Sequence, residues 1–259
     1  MSIATEIILT SEITVKLMQS MGGDHMLVAA ARVSTSGEDA AKYAEPGMEE
    51  GNAGLINYLI SQRHGTPAEH SAMTFFVHAP AFVWWEWVRH RVGQSISCPG
   101  LSDENPDASF NLESARYRAL DPVFWVPRPD RPMAPAPGHK PARPKFVAVD
   151  ADLHELTVYR MRLAYQAAWS QYRAMLDDGI ASEVARAVLG FGVYYSGWVT
   201  VNPRSLMSFL SLRTHDPSAK FVSYPQYEIQ QCACIAEKFL AEGWPITYAS
   251  FVKNGRVAP

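Results

Sequence analysis

Residues 71–93 read SAMTFFVHAPAFVWWEWVRHRVG, and two periodicities meet inside them. Met73, Phe75 and Val77 recur at every second position, the mark of a strand with one buried face. Beyond Pro80, which suits the first turn of a helix, Val83, Trp84, Trp87 and Val88 fall at helical spacing. The segment ends on two arginines that flank a histidine. Arginine keeps its charge and presents a planar fork of donors, so such a pair suits phosphate or carboxylate; a helix C-terminus also favours cations without any ligand.

Working outward, the chain alternates helices with a few strands. Ile13, Val15 and Leu17 suggest a half-buried strand over 12–18, and residues 24–34 read as a short helix capped by Asp24. Leu55, Ile56, Leu59 and Ile60 mark a helix that stops at Gly65. The proline-rich stretch 119–150 reads as an irregular surface excursion, and a long helix follows over 151–178. Ser182 opens another helix with Glu183 in its first turn. Residues 191–201 are strand-like. Asn202 then caps a helix with Pro203 in its first turn, Leu206, Phe209 and Leu210 on its apolar face and Arg213 at its end. A last helix, from about Pro225 to Glu242, would bury Ile229, Cys232, Ala236, Phe239 and Leu240. Long helices among a few strands, without regular β-α-β alternation, predict an α+β domain.

Bulk properties narrow the partners. A formal charge of −3 gives no global field for nucleic acid. No apolar run approaches the roughly 20 residues of a spanning helix, and the N-terminus lacks a signal-peptide pattern. The three cysteines, Cys98, Cys232 and Cys234, are too few for a disulfide scaffold and lack zinc spacing. A cytoplasmic protein that binds neither membrane nor nucleic acid is expected.

The candidate chemistry is cationic. Arg89, Arg91, Arg116, Arg186, Arg204 and Arg213 recur along the chain, and Arg186 and Arg213 sit among small or apolar neighbours. Arginines in such settings are buried in ion pairs or point at a ligand. No glycine-rich phosphate loop is present, so a bound nucleotide would rely on arginines and hydroxyls. His64, His70 and His78 match no metal signature, and no metal is expected. His90, between Arg89 and Arg91, should be held neutral by their charge. Cys98 lies on a polar loop near arginines that could lower its thiol pKa, which leaves a cysteine-nucleophile enzyme as an alternative. Cys232 and Cys234 read as core or near-core residues.

Taken in order, HGTPAEHSAMTFFVHAPAFVWWEWVRHRVGQS (64–95), SFNLESARYR (109–118) and VNPRSLMSFLSLR (201–213) closely resemble the flavin-dependent thymidylate synthases. AARVS, DPVFWVPRP, SEVARAVLG and YEIQQCACIAEKF add to the match, which covers most of the chain. The resemblance implies a single domain over 1–259 with a mixed or antiparallel sheet packed by long helices, carrying an inserted loop at about 95–109. It implies synthesis of dTMP from dUMP, with 5,10-methylenetetrahydrofolate and NADPH as co-substrates, FAD as cofactor and no cysteine nucleophile. A homotetramer with active sites built across subunits is also implied. A catalytically silent flavin- or nucleotide-binding homologue stands as the alternative within the same fold.

Carried over by position, the implied dUMP contacts are Glu86, Arg89, Leu112, Glu113, Ser114, Ala115, Arg116, Arg186 and Arg213. The implied FAD contacts are His70, Ala72, Arg89, His90, Arg91, Leu112, Asn202, Pro203, Arg204 and Ser208. Arg213, beside the uracil ring, is the implied catalytic residue; it would stabilise the anionic ring electrostatically without donating a proton. The chain departs from the family pattern at Glu86, where glutamine is common, at Ser208, where asparagine or histidine is common, and at Gly190, where proline is expected after VL. The insertion leaves either Ser95 or Ser109 for the first serine of the signature.

Overall fold

In a computed structural model the described residues are 6–90 and 110–259. Arg91, Ser95, Cys98, Ser109 and the expected insertion lie outside them. The elements run β1 (Ile8–Thr10), β2 (Thr14–Met21), α1 (Asp24–Ser36), α2 (Ala53–Ser61), β3 (Ala72–Pro80), α3 (Ala81–Trp87), β4 (Phe110–Leu112) and β5 (Val123–Trp125). They continue with β6 (Ala134–Pro135), β7 (Phe146–Val147), α4 (Ala151–Asp177), α5 (Ser182–Ala185), β8 (Tyr194–Val201), α6 (Pro203–Arg213), α7 (Tyr227–Gly243) and α8 (Pro245–Lys253). The four-stranded sheet has the order β2-β3-β8-β4. β1 pairs with β5 in parallel, Ile8 opposite Val123, and β6 pairs with β7 antiparallel. Helices beside a small mixed set of strands make the α+β class that the alternation of periods predicts.

The chain divides into two compact units, each assembled from separated segments. One comprises residues 6–14, 78–85 and 112–197. Its core is Ala115, Leu120, Phe124, Trp169, Tyr172, Ala185, Leu189 and Val193. Leu120 and Phe124 correct the reading of 119–150 as surface: its first residues are core, and only the part around β6 and β7 is an excursion. Phe124 is completely buried against Tyr165 and Trp169, so truncating it to alanine would cost about 3–5 kcal/mol.

The second unit comprises residues 15–77, 86–90, 110–111 and 198–259. Met73, Phe75 and Val77 of β3 are fully buried, as their alternation predicts. α6 packs on α7 and α2 on α8. α7 buries Ile229, Cys232, Ala236 and Leu240, whereas Phe239 is half-buried and Cys234 is exposed.

Several boundaries differ from expectation for physical reasons. Pro80 closes β3, and α3 stops at Trp87, so Arg89 and His90 lie beyond the helix instead of at its end. Val83, Trp84 and Trp87 are buried but Trp85 is exposed, which resolves the aromatic run residue by residue. α2 ends at Ser61, before Gly65, and the left-handed backbone position is Arg63 at φ 60°. Asp24 begins α1 but does not cap it. Its buried carboxylate accepts the N–H groups of Ile246 (2.7 Å) and Thr247 (3.0 Å) and the Thr247 hydroxyl (2.6 Å), satisfying the first turn of α8. Among the described residues no helix is long and apolar enough to cross a membrane.

Candidate active site

The first unit holds a cleft of about 630 Å³, within the range of small-molecule sites. Leu112, Glu113 and Ser114, at and just after β4, form one wall; Arg186, Ala187 and Gly190 form another. Trp84, Trp85, Phe191 and Tyr195 supply aromatic surface. The sequence-derived set contained Leu112, Glu113, Ser114 and Arg186 but missed the aromatic lining. The signal for it was the run FVWWEW, whose Trp85 turns away from the buried face and packs edge-on against Phe191 at 4.8 Å.

Charge in this cleft is sorted by pairing. Glu113 is committed: Arg118 donates to its Oε1, from Nε at 2.8 Å and also from Nη2, and the Ser196 N–H donates to its Oε2 at 3.2 Å. Arg186 forms no ion pair among the described residues, so it stands as the free cation of the lining. Tyr195 nearby has its hydroxyl pKa pushed up, chiefly by burial, and stays protonated. Arg116 does not line the cleft. It is exposed and pairs with Glu183 at 2.8 Å, a surface contact worth about 0–1 kcal/mol that an anionic ligand can displace. Ala115 is fully buried core and offers no side-chain contact. Gly190 has φ +67°, which proline with its locked negative φ cannot adopt, and this accounts for the departure from the family pattern.

The second unit gathers the other candidates around α6. Asn202 is the N-cap, with Oδ1 accepting the Ser205 N–H at 2.8 Å, and Pro203 is the buried first residue. Arg204 pairs with Glu69 and donates from Nε to the Pro259 carbonyl at 3.0 Å. Ser208 is half-buried, and its carbonyl accepts from Ser211. Ala72 begins β3; His70 is exposed beside a groove formed with Met26, Ala29 and Val33 of α1.

At the far end of α6, Arg213 meets Glu86 at 2.7 Å. Its Nε is buried and has no hydrogen-bond partner among the described residues, and the same holds for His90 Nε2. His90 lies edge-on to Phe209 at 5.1 Å, while Trp87 stacks on the same ring at 5.0 Å. Burial first, and then the Arg213 charge, push the His90 pKa down to about 4, so the ring is neutral near pH 7. The direction agrees with the expectation from Arg89 and Arg91, but burial is the main cause, and the contributing cation, Arg213, is distant in sequence. Arg89 is exposed. A buried donor without a partner costs about 1–3 kcal/mol. Arg213 Nε is one, while the Nε2 of neutral His90 donates or accepts according to its tautomer, so this aromatic-walled set suits a ring ligand that carries carbonyl and nitrogen groups. Among the described residues no group of three His, Cys, Asp or Glu side chains could hold a metal ion. The Cys232 thiol is pushed above its ordinary pKa by complete burial, and Cys234 is raised as well, so neither is an activated nucleophile.

Comparison with known proteins agrees with this chemistry. The family described as thymidylate synthase complementing protein matches residues 16–246. The flavin-dependent thymidylate synthase of Streptomyces coelicolor is 44% identical over 97% of this chain and 95% of its own length. That of Tropheryma whipplei is 41% identical over 96% of each. A crystal structure of the UMP/dUMP methylase PolB from Streptomyces cacaoi, bound with 5-Br dUMP, is 41% identical with a TM-score of 0.84 and covers 98% of this chain and 100% of that one. A second crystal structure of PolB holds 5-Br UMP, with a TM-score of 0.82. The chain belongs to the flavin-dependent thymidylate synthase family.

Proposed function

We propose that this chain methylates dUMP to dTMP, taking its one-carbon unit from 5,10-methylenetetrahydrofolate and its reducing equivalents from NADPH by way of FAD. The observation that carries the reading is the buried, unpartnered Arg213 Nε next to a neutral His90, in a chain similar to flavin-dependent thymidylate synthases over nearly its full length.

Uracil carbon 5 is a poor nucleophile until negative charge can delocalise onto the ring carbonyls. Arg213, fixed before substrate arrives, would supply positive charge where that density develops, through orientation and without giving up a proton. Its neighbour His90, being neutral, adds a hydrogen-bonding edge and no competing charge. Arg186 would take the nucleotide phosphate, with Arg116 released from Glu183 to join it and Ser114 adding a hydroxyl. Arg89, Leu112 and Glu113, with the main chain of Ala115, complete the proposed nucleotide set. Asn202, Pro203, Arg204, Ser208, His70, Ala72, His90 and Arg91 would hold the flavin, with Arg89 and Leu112 shared. Bound FAD supplies the hydride chemistry; these side chains bind and align. Neither Cys232 nor Cys234 is poised to attack.

Assembly as a homotetramer belongs to the same reading. Leu153, Leu156, Tyr159 and Leu163 form an exposed apolar stripe along one face of α4, of the kind that subunit contacts cover. A cytoplasmic setting is proposed too.

A second reading, methylation of UMP, is favoured by the PolB structures with both bromo-nucleotides. Tritium release from 5-tritiated dUMP and 5-tritiated UMP, each with methylenetetrahydrofolate, NADPH and FAD, tests both. Release from dUMP that depends on all three components supports the main reading. Tight dUMP binding without release would indicate a silent homologue, and no FAD uptake would overturn the assignment.

A further inference from the structure

We propose that Glu86 is the positioning residue for Arg213, not a ligand of the nucleotide. The inference rests on the reading of Arg213 as the group that faces the substrate base. Glu86 lies next to the end of α3, and its carboxylate accepts from Arg213 Nη2 at 2.7 Å. The same nitrogen lies 3.4 Å from the Glu86 main-chain carbonyl, so one residue presents two acceptors to one corner of the guanidinium. A planar group held at one corner has its remaining donors aimed in a set direction. That direction leaves Nε buried and unpartnered.

The anchor is itself rigid. Trp87, the neighbour of Glu86, is buried and stacks on Phe209 at an interplanar angle of 17°. Phe209 lies four residues before Arg213 on α6, one helical turn away, so one aromatic stack ties together the segments that carry the two charges. A free carboxylate facing a phosphate would repel it. Committed to Arg213, the carboxylate is not free to face a phosphate, and this explains how glutamate is tolerated where the family commonly has glutamine. Glutamine can make the same hydrogen bond through its amide oxygen, so the geometry needs an acceptor of this length more than it needs a charge.

The test compares Glu86→Gln, Glu86→Ala and Glu86→Asp in the FAD-loaded enzyme. Asp keeps the charge but is one methylene too short. In Glu86→Ala and Glu86→Asp, kcat for tritium release should fall about 30- to 100-fold, the scale of an ångström misplacement. The dUMP KM should move less than about threefold, and Glu86→Gln should recover most of kcat. Crystal structures of the substrate-free variants should show the Arg213 guanidinium retained in Glu86→Gln and displaced in the other two. An unmoved Arg213 in Glu86→Ala, equal kcat losses in Gln and Ala, or a raised KM at intact kcat would each overturn the proposal. A wild-type enzyme inert on dUMP would instead overturn the functional reading, while the crystal structures would still decide the placement.

Discussion

Arg204 packs so closely over Gly65 that a Cβ on the glycine would stand 2.5 Å from the guanidinium Cζ and closer still to Nε. The glycine is required by this approach, not by its backbone angle, and it lets Arg204 lie between Glu69 and the Pro259 carbonyl. Gly65→Ala should therefore expel Arg204 while leaving β3 and α6 folded. With Arg204 in its proposed role as a flavin contact, loss of a charged hydrogen bond worth about 1.5–3 kcal/mol weakens FAD about 10- to 100-fold. Flavin fluorescence titration would measure it, and unchanged affinity would remove Arg204 from the flavin set.

Arg186 offers a cleaner separation, because it is the unpaired cation of a cleft whose other charge is neutralised. Arg186→Ala should raise the dUMP KM about 10- to 100-fold, the worth of one charge-assisted phosphate contact, and leave FAD affinity unchanged. Arg186→Lys should recover part of the loss, since lysine keeps the charge but not the fork. A kcat defect at unaltered KM would place Arg186 elsewhere in the reaction.

What the sequence made legible was local. The α6 signals Asn202, Pro203 and the spacing Leu206, Phe209, Leu210 all act within one or two turns, and the helix formed with the expected cap and end. The β3 alternation held for the same reason. Pairings over long sequence distance were not legible. Asp24 looks like a cap for its own helix because nothing nearby announces that its carboxylate belongs to α8, more than 200 residues later. Glu86 and Arg213 each resemble site residues of the family, but nothing local in the sequence pairs them. The proline content of 119–150 hid Leu120 and Phe124, whose burial depends on α4 and not on their own neighbours.

Asp24 gives a stability prediction from that non-local cap. Its carboxylate pKa is raised, chiefly by burial, while the bonds from Thr247 and Ile246 oppose the shift. Burial of the charge thus outweighs those bonds at neutral pH, yet removing the acceptor leaves the α8 N–H groups buried and unpaired. Asp24→Ala should destabilise by about 2–3 kcal/mol in urea unfolding at pH 7. A change below about 0.5 kcal/mol would mean that solvent reaches the start of α8.

The His90 ring sets a pH dependence whose sign follows from its surroundings. Its pKa falls from an ordinary 6.5 to about 4 in the folded protein, because burial and the Arg213 charge both disfavour the imidazolium. Above about pH 6.5 the ring is neutral in folded and unfolded chains, and its contribution to stability is complete. As the pH drops from 6.5 towards 4 the unfolded chain takes up a proton that the folded chain refuses, so stability is lost across that window and levels off below it. His78, lowered by burial in the other unit, adds a loss of the same sign. Replacing His90 by glutamine removes one titrating site, so the slope of unfolding free energy against pH between 6.5 and 4 should become shallower than in the wild type by up to one proton. Urea unfolding of both proteins across that range measures the difference. Parallel slopes would mean that His90 titrates normally and is charged when the substrate site is formed at mildly acidic pH.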